Sequence, residues 1–88
     1  MDETMLTLKA DVTLTERDGQ VGVVLNDRVR YAKNERQAEI LLALVKQSQP
    51  LESLMALLRA LYGSTENDNE MSLAIAEFIL DFGEYLEA

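Results

Sequence analysis

The sequence predicts an α+β fold in which a three-stranded antiparallel sheet is followed by three helices. Up to Lys33 the apolar residues recur with a period of two, which is typical of strands with one buried face. From Asn34 onwards they recur at helical spacing, in three stretches separated by short breaks. Because the strands come first and the helices follow, we expect the sheet and the helices to form separate layers.

The first two strands are predicted from alternation and from turn residues. Every second residue is apolar over residues 6–15, which predicts either one long strand or two short strands bent near Ala10-Asp11. Asp18-Gly19 is a strong turn signal. Residues 21–25 are apolar apart from one glycine and are predicted to form the second strand.

The third predicted strand covers residues 28–33, where apolar and polar residues alternate again. Asn26-Asp27 precedes it and can turn the chain, because both residue types tolerate positive φ. The three strands therefore predict an antiparallel meander.

The first two helices are predicted from their end signals. Asn34 is a good N-cap and Gln37 lies three residues further on, so we expect a capping box at the start of a helix that ends near Gln47. Pro50 suits the first turn of the second helix. Gly63 fits the cap at its C-terminus.

The last helix, predicted over about residues 70–86, has more apolar surface than a core requires. A wide apolar face that includes Phe78 and Phe82 is sufficient for packing. A second apolar stripe borders the acidic face and contains Leu73, Ala76, Leu80 and Gly83. Either the sheet or another helix covers this second stripe, or the stripe forms one wall of a groove for a ligand or partner.

Composition excludes several kinds of function. The 88 residues include no cysteine and no histidine, so thiol chemistry and the commonest general base and metal ligand are missing. No apolar run reaches the roughly 18 residues of a membrane span, and the acidic N-terminus does not resemble a secretory signal. We expect a single cytoplasmic domain over residues 1–88, not an enzyme, with no catalytic residue, cofactor, metal site or membrane partner.

The charge is concentrated in the second part of the chain. Residues 37–88 carry nine acidic and two basic groups, a net −7, whereas residues 1–36 carry seven and six, a net −1. This element order suggests a winged helix-turn-helix, an architecture that often binds DNA. Here the last helix carries Glu77, Asp81 and Glu84 and no basic residue, so phosphate groups would repel it. We therefore expect no nucleic-acid partner.

An extended peptide is the partner that best matches these features. A free sheet edge exposes N–H and C=O groups with which an added strand can pair. The last predicted strand contains Arg28 and Arg30, which suit an acidic peptide.

Short motifs along nearly the whole chain resemble the PqqD-like family of RiPP recognition elements. They are Ala10-Asp11-Val12 with Leu14, Arg30-Tyr31 leading into Asn34-Glu35, Leu61-Tyr62-Gly63, and Phe78-Ile79-Leu80-Asp81-Phe82. Members of this family bind the leader segment of a ribosomally made precursor peptide as an added strand and present the core segment to a modifying enzyme. For stand-alone members similar to this chain, that enzyme is commonly a radical S-adenosylmethionine (radical SAM) maturase, including splicing-type ones.

The resemblance implies a peptide-binding groove between the third strand and the third helix. One side would be formed by Arg28, Val29, Arg30, Tyr31, Ala32 and Lys33. The other side would be formed by Leu73, Ala76, Glu77 and Leu80.

Other functions stay open. The second stripe or a strand edge could be the interface of a homodimer, which would make the chain a dimeric or scaffolding winged-helix protein. Glu52-Ser53-Leu54 resembles the Asp-Ser-Leu attachment site of acyl and peptidyl carrier proteins. Carrier proteins are helical bundles, however, whereas residues 1–33 predict strands. The carboxylates of the last helix are expected to form a solvated face, because no histidine accompanies them.

Overall fold

A computed structural model describes residues 5–87 of the chain. In chain order the elements are β1 (Met5–Leu6), β2 (Thr13–Arg17), β3 (Gln20–Leu25), β4 (Arg28–Tyr31), α1 (Glu35–Lys46), β5 (Gln49–Pro50), α2 (Leu51–Tyr62), α3 (Asp68–Phe82) and a 3₁₀ turn (Gly83–Tyr85). The predicted α+β architecture is confirmed: β2, β3 and β4 form a three-stranded antiparallel sheet in that order, accompanied by three helices.

The alternating segment of residues 6–15 forms two strands, divided by a turn at Ala10-Asp11. β1 pairs with β5 in a separate two-stranded sheet, whereas β2 joins the main sheet. The apolar side of this segment is only partly buried, since Leu6 is in the core whereas Ala10 is exposed and Leu14 is 43% exposed. Leu14 lies opposite the fully buried Val23 but on an outer strand, so it extends past the part of the sheet that the helices cover.

Both predicted hairpin turns are confirmed by residues with left-handed backbone angles. Asp18 and Gly19 have φ of 52° and 81° between β2 and β3. Asn26 has φ of 56° between β3 and β4. Asn, Asp and Gly are the residue types that adopt this conformation most readily, so the local sequence determines where the meander turns.

Of the two hydrogen bonds in the capping box predicted at the start of α1, one is present. The Asn34 side-chain oxygen accepts a hydrogen bond from the Gln37 backbone N–H at 2.9 Å. The reciprocal bond is missing, because Gln37 Oε1 accepts the N–H of Lys33 at 3.0 Å instead. The third predicted strand ends at Tyr31 rather than at residue 33, and Lys33 lies in the connection to α1.

α3 begins at Asp68, before the predicted start at residue 70, because Asn67 and Glu70 form a full capping box. The signal Asn-x-x-Glu is present in the sequence, and its first three residues lie ahead of the predicted start. The regular helix ends at Phe82, and the last part of the predicted helix is a 3₁₀ turn.

Both end residues predicted for α2, a proline and a glycine, lie at the ends of the helix. Their exact positions or backbone conformations differ from the prediction. Pro50 is the N-cap, one residue before the first turn, and pairs with Met5 across the small sheet. Gly63 is the C-cap as predicted, but with φ of −61° it stays in the right-handed helical region.

The core lies between β3 and the three helices, and two stacked phenylalanines form its centre. The rings of Phe78 and Phe82 have centroids 4.8 Å apart, and both side chains are fully buried. The surrounding buried side chains include Val23, Ile40, Leu41, Leu54, Leu58 and Met71. The wide apolar face predicted for the last helix therefore is the core face. Within residues 5–87 every helix falls short of the length and apolarity needed to cross a bilayer.

Two glycine substitutions are expected to change stability in opposite directions. A Cβ at Gly22 would lie 2.7 Å from the Arg30 carbonyl oxygen and 2.7 Å from Tyr31 Cδ1. Gly22→Ala should therefore lower the free energy of unfolding by about 1–3 kcal/mol through overpacking. A Cβ at Gly83 would meet no atom within 4 Å, and its backbone is helical. Gly83→Ala should accordingly raise the free energy of unfolding by about 0.4–1 kcal/mol. Urea unfolding followed by circular dichroism measures both, and equal effects would contradict this explanation.

Candidate functional site

β4 is an outer strand, and in the described part of the chain one of its edges has no neighbouring strand. The Ala32 N–H donates to the Val21 C=O at 2.8 Å. Opposite residues in antiparallel pairs alternate between hydrogen-bonded and non-hydrogen-bonded pairs. Counting back from Ala32, Arg30 is hydrogen-bonded to β3, whereas the N–H and C=O groups of Val29 and Tyr31 point to the free edge. These four groups are available to an added strand.

Ion pairs connect β4 and the segment after it to α3 and to the 3₁₀ turn that continues it. Arg28 bonds to Glu84 at 2.5 Å. Lys33 Nζ lies 2.8 Å from a Glu77 oxygen and 3.2 Å from an Asp81 oxygen. As the residue number rises along β4 it falls along α3, so the two elements run antiparallel. The free edge of the sheet therefore lies alongside the acidic face of the helix.

Arg30 differs from the other cations of this strand. Its guanidinium carbon lies 5.9 Å from the centroid of the Phe82 ring, within the range of a cation–π contact. Among the residues that the structure describes, no carboxylate comes within ion-pair distance of Arg30. Arg30 is therefore the cation of β4 that is available to an incoming carboxylate.

The side-chain amide of Gln37 holds this arrangement together. Gln37 is 2% exposed. Its Nε2 donates to Asp81 Oδ2 at 2.8 Å, and its Oε1 accepts the N–H of Lys33 at 3.0 Å. Both ends of the amide are thereby satisfied, as a buried polar group requires. One side chain of α1 thus connects the segment just after β4 to the C-terminal end of α3.

These contacts determine the ionisation of the acidic face. The hydrogen bond from Gln37 and the ion pair with Lys33 hold the pKa of Asp81 below its usual value. The hydrogen bond and charge of Arg28 lower the pKa of Glu84 in the same way. Both carboxylates are consequently ionised at neutral pH and act as fixed anions. Nowhere in residues 5–87 do three side chains of the metal-ligating types His, Cys, Asp and Glu come together to hold a metal ion.

The second apolar stripe of α3 faces solvent. Leu80 is 83% exposed and Leu73 is 69% exposed. Ala76 is also exposed, and the position of a Cβ on Gly83 is open space. The explanation in which the sheet or another helix covers this stripe is therefore wrong for the described residues.

The structure divides the predicted site residues among different environments. Val29 and Tyr31 contribute backbone groups to the free edge, while Ala32 is buried and offers no accessible side chain. Leu73 and Glu77 line a depression of about 230 Å³ at the α1 end of the β4–α3 contact. Ala76 lies on the other flank of α3, where it lines a depression facing α2.

Sequence reasoning omitted the residues that hold β4 and α3 together. Gln37 was predicted as a capping residue, and Asp81 and Glu84 as parts of a solvated face. A usable signal was present, because Glu77, Asp81 and Glu84 recur at helical spacing while the cations of residues 28–33 alternate along a strand. A row of acidic residues along a helix and a row of basic residues along a strand predict that the helix and the strand are joined by ion pairs.

Comparison of the chain with protein-family models, with curated proteins and with solved structures returned no match. The PqqD-like resemblance stays a prediction from the short motifs.

Replacing the amide of Gln37 by a carboxylate should destabilise the protein in a pH-dependent way. In Gln37→Glu the amide N–H donor to Asp81 is replaced by a carboxylate, so two negative charges lie side by side. The free energy of unfolding should fall by about 1–3 kcal/mol at pH 7. The neighbouring charge raises the pKa of the new carboxyl, so the penalty is present above that pKa and relieved as the pH falls through it. The difference in thermal midpoint from the wild type should shrink between about pH 7 and pH 4.

Gln20→Glu is the matched control, because Gln20 is exposed at the start of β3. Its thermal midpoint should follow the wild type at both pH values. A Gln37→Glu midpoint that does so too would contradict the role given to the buried amide.

Proposed function

We propose that this chain is a non-catalytic binding module that captures the leader segment of a ribosomally made precursor peptide as an added strand. The peptide pairs with the free edge of β4 beside α3, and the module presents the rest of the precursor to a modifying enzyme, a radical SAM maturase. The proposal includes the winged helix-turn-helix arrangement predicted from the sequence. The observation that carries it is the open edge at Val29 and Tyr31, next to a helix with uncovered apolar side chains.

The energetics are compatible with reversible binding of a short segment. Two edge residues offer one N–H and one C=O each, so four backbone hydrogen bonds can form, each contributing about 1 kcal/mol. Contacts with Leu73 and Leu80 add about 2 kcal/mol for each apolar peptide side chain that they bury. Ordering the peptide costs several kcal/mol. With two such side chains the gross gain is about 8 kcal/mol, and after an ordering cost of about 2 kcal/mol the balance corresponds to a dissociation constant of tens of micromolar.

The charges around the edge favour a peptide with one carboxylate near its centre. The sequence suggested that Arg28 and Arg30 both suit an acidic peptide. Arg28 is already paired with Glu84, whereas Arg30 contacts a ring. A carboxylate opposite Arg30 gains a partner without separating an existing pair, and further carboxylates would face the acidic side of α3.

Two observations favour this function over the alternatives. In a homodimer with antiparallel pairing between two β4 edges, the arginines of one copy would come near those of the other, and like charges in such positions are destabilising. A carrier protein is a helical bundle, whereas here four strands precede the first helix.

The direct test is a titration of the chain with the leader segment of the precursor peptide encoded beside it. Calorimetry at moderate salt should give a dissociation constant of tens of micromolar or lower. The absence of a binding isotherm at leader concentrations of tens of micromolar, both by calorimetry and by fluorescence anisotropy, would contradict the proposal.

Val29→Pro should weaken leader binding by about fivefold or more, because it removes a donor to the added strand that contributes about 1 kcal/mol. Proline is tolerated on an edge strand where the N–H faces outward, so the sheet should persist. Val29→Ala is the control, since it shortens the same side chain and keeps the N–H. Circular dichroism checks folding of both variants, and equal affinities for the two would contradict strand addition at this edge.

Leu80→Asp should weaken leader binding by about tenfold while lowering the free energy of unfolding by about 1 kcal/mol or less, because the side chain is exposed and the new carboxylate meets only the like charges of Glu77 and Glu84. Leu14→Asp is the matched control on β2, where an exposed leucine lies far from the β4 edge. Fluorescence anisotropy with a labelled leader measures both. A loss of affinity in Leu14→Asp equal to that in Leu80→Asp would contradict the position of the groove.

A further inference from the structure

The two ends of the β4–α3 contact differ in polarity. A depression of about 510 Å³ lies at the end where β4 begins, and four of its six lining residues are charged. These four are Lys9, Asp27, Arg28 and Glu84. The depression of about 230 Å³ at the opposite end, beside the start of α1, contains the apolar side chains of Leu73 and Ala74 and is called the Leu73 depression below. An apolar side chain of a bound peptide is therefore better accommodated at the α1 end.

The charged side chains that line the Leu73 depression already have partners within the chain. Their contacts are Arg36 with Glu66, Glu77 with Lys33, and Glu70 with the Asn67 N–H. A charged ligand group would compete with these contacts, whereas an apolar group can cover Leu73 and Ala74 and leave them in place. The volume is below the roughly 300–1,000 Å³ of pockets that enclose small-molecule ligands, and it suits one side chain of a longer segment.

Arg30 determines which side chains of an added strand face α3. It lies opposite the buried Val23 in the sheet, and its guanidinium contacts the Phe82 ring of α3. Directly opposite residues of an antiparallel pair share a face, and every second residue of a strand returns to that face. A peptide residue opposite Arg30 therefore faces α3, as do the residues two and four positions away from it.

The distance from Arg30 to the Leu73 depression matches four residues of an extended peptide. Phe82 lies eight residues after Ala74 and nine after Leu73 on α3, an axial distance of about 12–13.5 Å. Four residues of a strand cover about 13 Å, and their even number keeps both side chains on one face. Two residues cover about 7 Å and reach only the level of Glu77, where the ion pairs of Lys33 lie.

The sheet favours one direction for the added strand. β2, β3 and β4 pair in an antiparallel manner, and antiparallel pairs are slightly more stable per residue than parallel ones. Residue numbers rise along β4 towards α1, so those of an antiparallel peptide fall in that direction. The residue at the Leu73 depression therefore precedes the residue opposite Arg30 in the peptide sequence.

We infer that the module selects leader segments in which an apolar residue precedes an acidic residue by four positions. The acidic residue binds Arg30, and the apolar side chain occupies the Leu73 depression. The residue midway between them faces the ion pairs of Lys33 and is small or polar. This inference rests on the proposed function and adds to it the sequence pattern of the peptide that the β4 edge accepts.

The test uses the full chain and four synthetic peptides in which a central aspartate is surrounded by threonines, which favour extended structure. Three of them carry one leucine, placed four residues before, two residues before or four residues after the aspartate, and the fourth carries none. Fluorescence anisotropy should give the peptide with leucine four residues before aspartate an affinity about tenfold above the other three, because only that leucine is buried in the depression.

Two variants of the chain identify the contacts. Leu73→Ala should lower the affinity for the preferred peptide by about fivefold and leave that of the leucine-free peptide within about twofold. Leu14→Ala is the matched control at an exposed leucine of β2 and should leave all four affinities unchanged. Arg30→Gln should remove the preference for aspartate over asparagine at the central position, because that preference comes from the charge of Arg30.

Titration with the leader of the precursor encoded beside the chain separates this inference from the proposed function. If that leader binds but the peptides show equal affinities or prefer another leucine position, the inference is wrong and strand addition stands. The same holds if Leu73→Ala weakens all four peptides equally. If neither the leader nor any peptide binds, both the inference and the proposed function are wrong.

Discussion

The buried amide of Gln37 determines how the two parts of the molecule are placed. It accepts from the backbone of Lys33, two residues after β4, and donates to Asp81 near the C-terminal end of α3. Because the Gln37 amide itself is buried, a shift of either element would leave a buried polar group unpaired, which is costly. The ion pairs of Lys33 and Arg28 are more exposed and therefore weaker. These ion pairs form where the Gln37 amide has already positioned the two elements. They place paired, mutually neutralising charges along the free edge of the sheet.

α3 combines three surfaces that the fold keeps apart. Its core face carries the stacked Phe78 and Phe82, which hold the helix against the sheet. Its acidic face turns to β4, where the carboxylates neutralise the cations of the strand and leave Arg30 available. Its apolar flank, with Leu80, is left to solvent. Packing against the core requires only the face with Phe78 and Phe82. The exposed apolar flank is not needed for folding and is therefore the surface that indicates a binding function.

The sequence predicted the elements well and their mutual arrangement poorly. Alternation and the residues at 18–19 and 26–27 located the strands and turns because these signals are local. The division of residues 6–15, which alternation left open, depends on a pairing with β5 that lies far away in sequence. The apolar stripe of α3 was visible in its periodicity, yet its exposure depends on what the other helices cover. Gln37 was assigned to a cap, since no local pattern shows that its amide reaches Asp81, 44 residues away.

The central claim is that an extended peptide pairs with the open edge of β4, and hydrogen–deuterium exchange at single residues tests it most directly. In the free chain the amide protons of Val29 and Tyr31 point away from the sheet and should exchange much faster than that of Arg30, which is bonded to β3. Addition of the leader segment should slow exchange at Val29 and Tyr31 and leave the amides of β2, the other outer strand, unchanged. Leader binding without protection at these two residues would contradict the account.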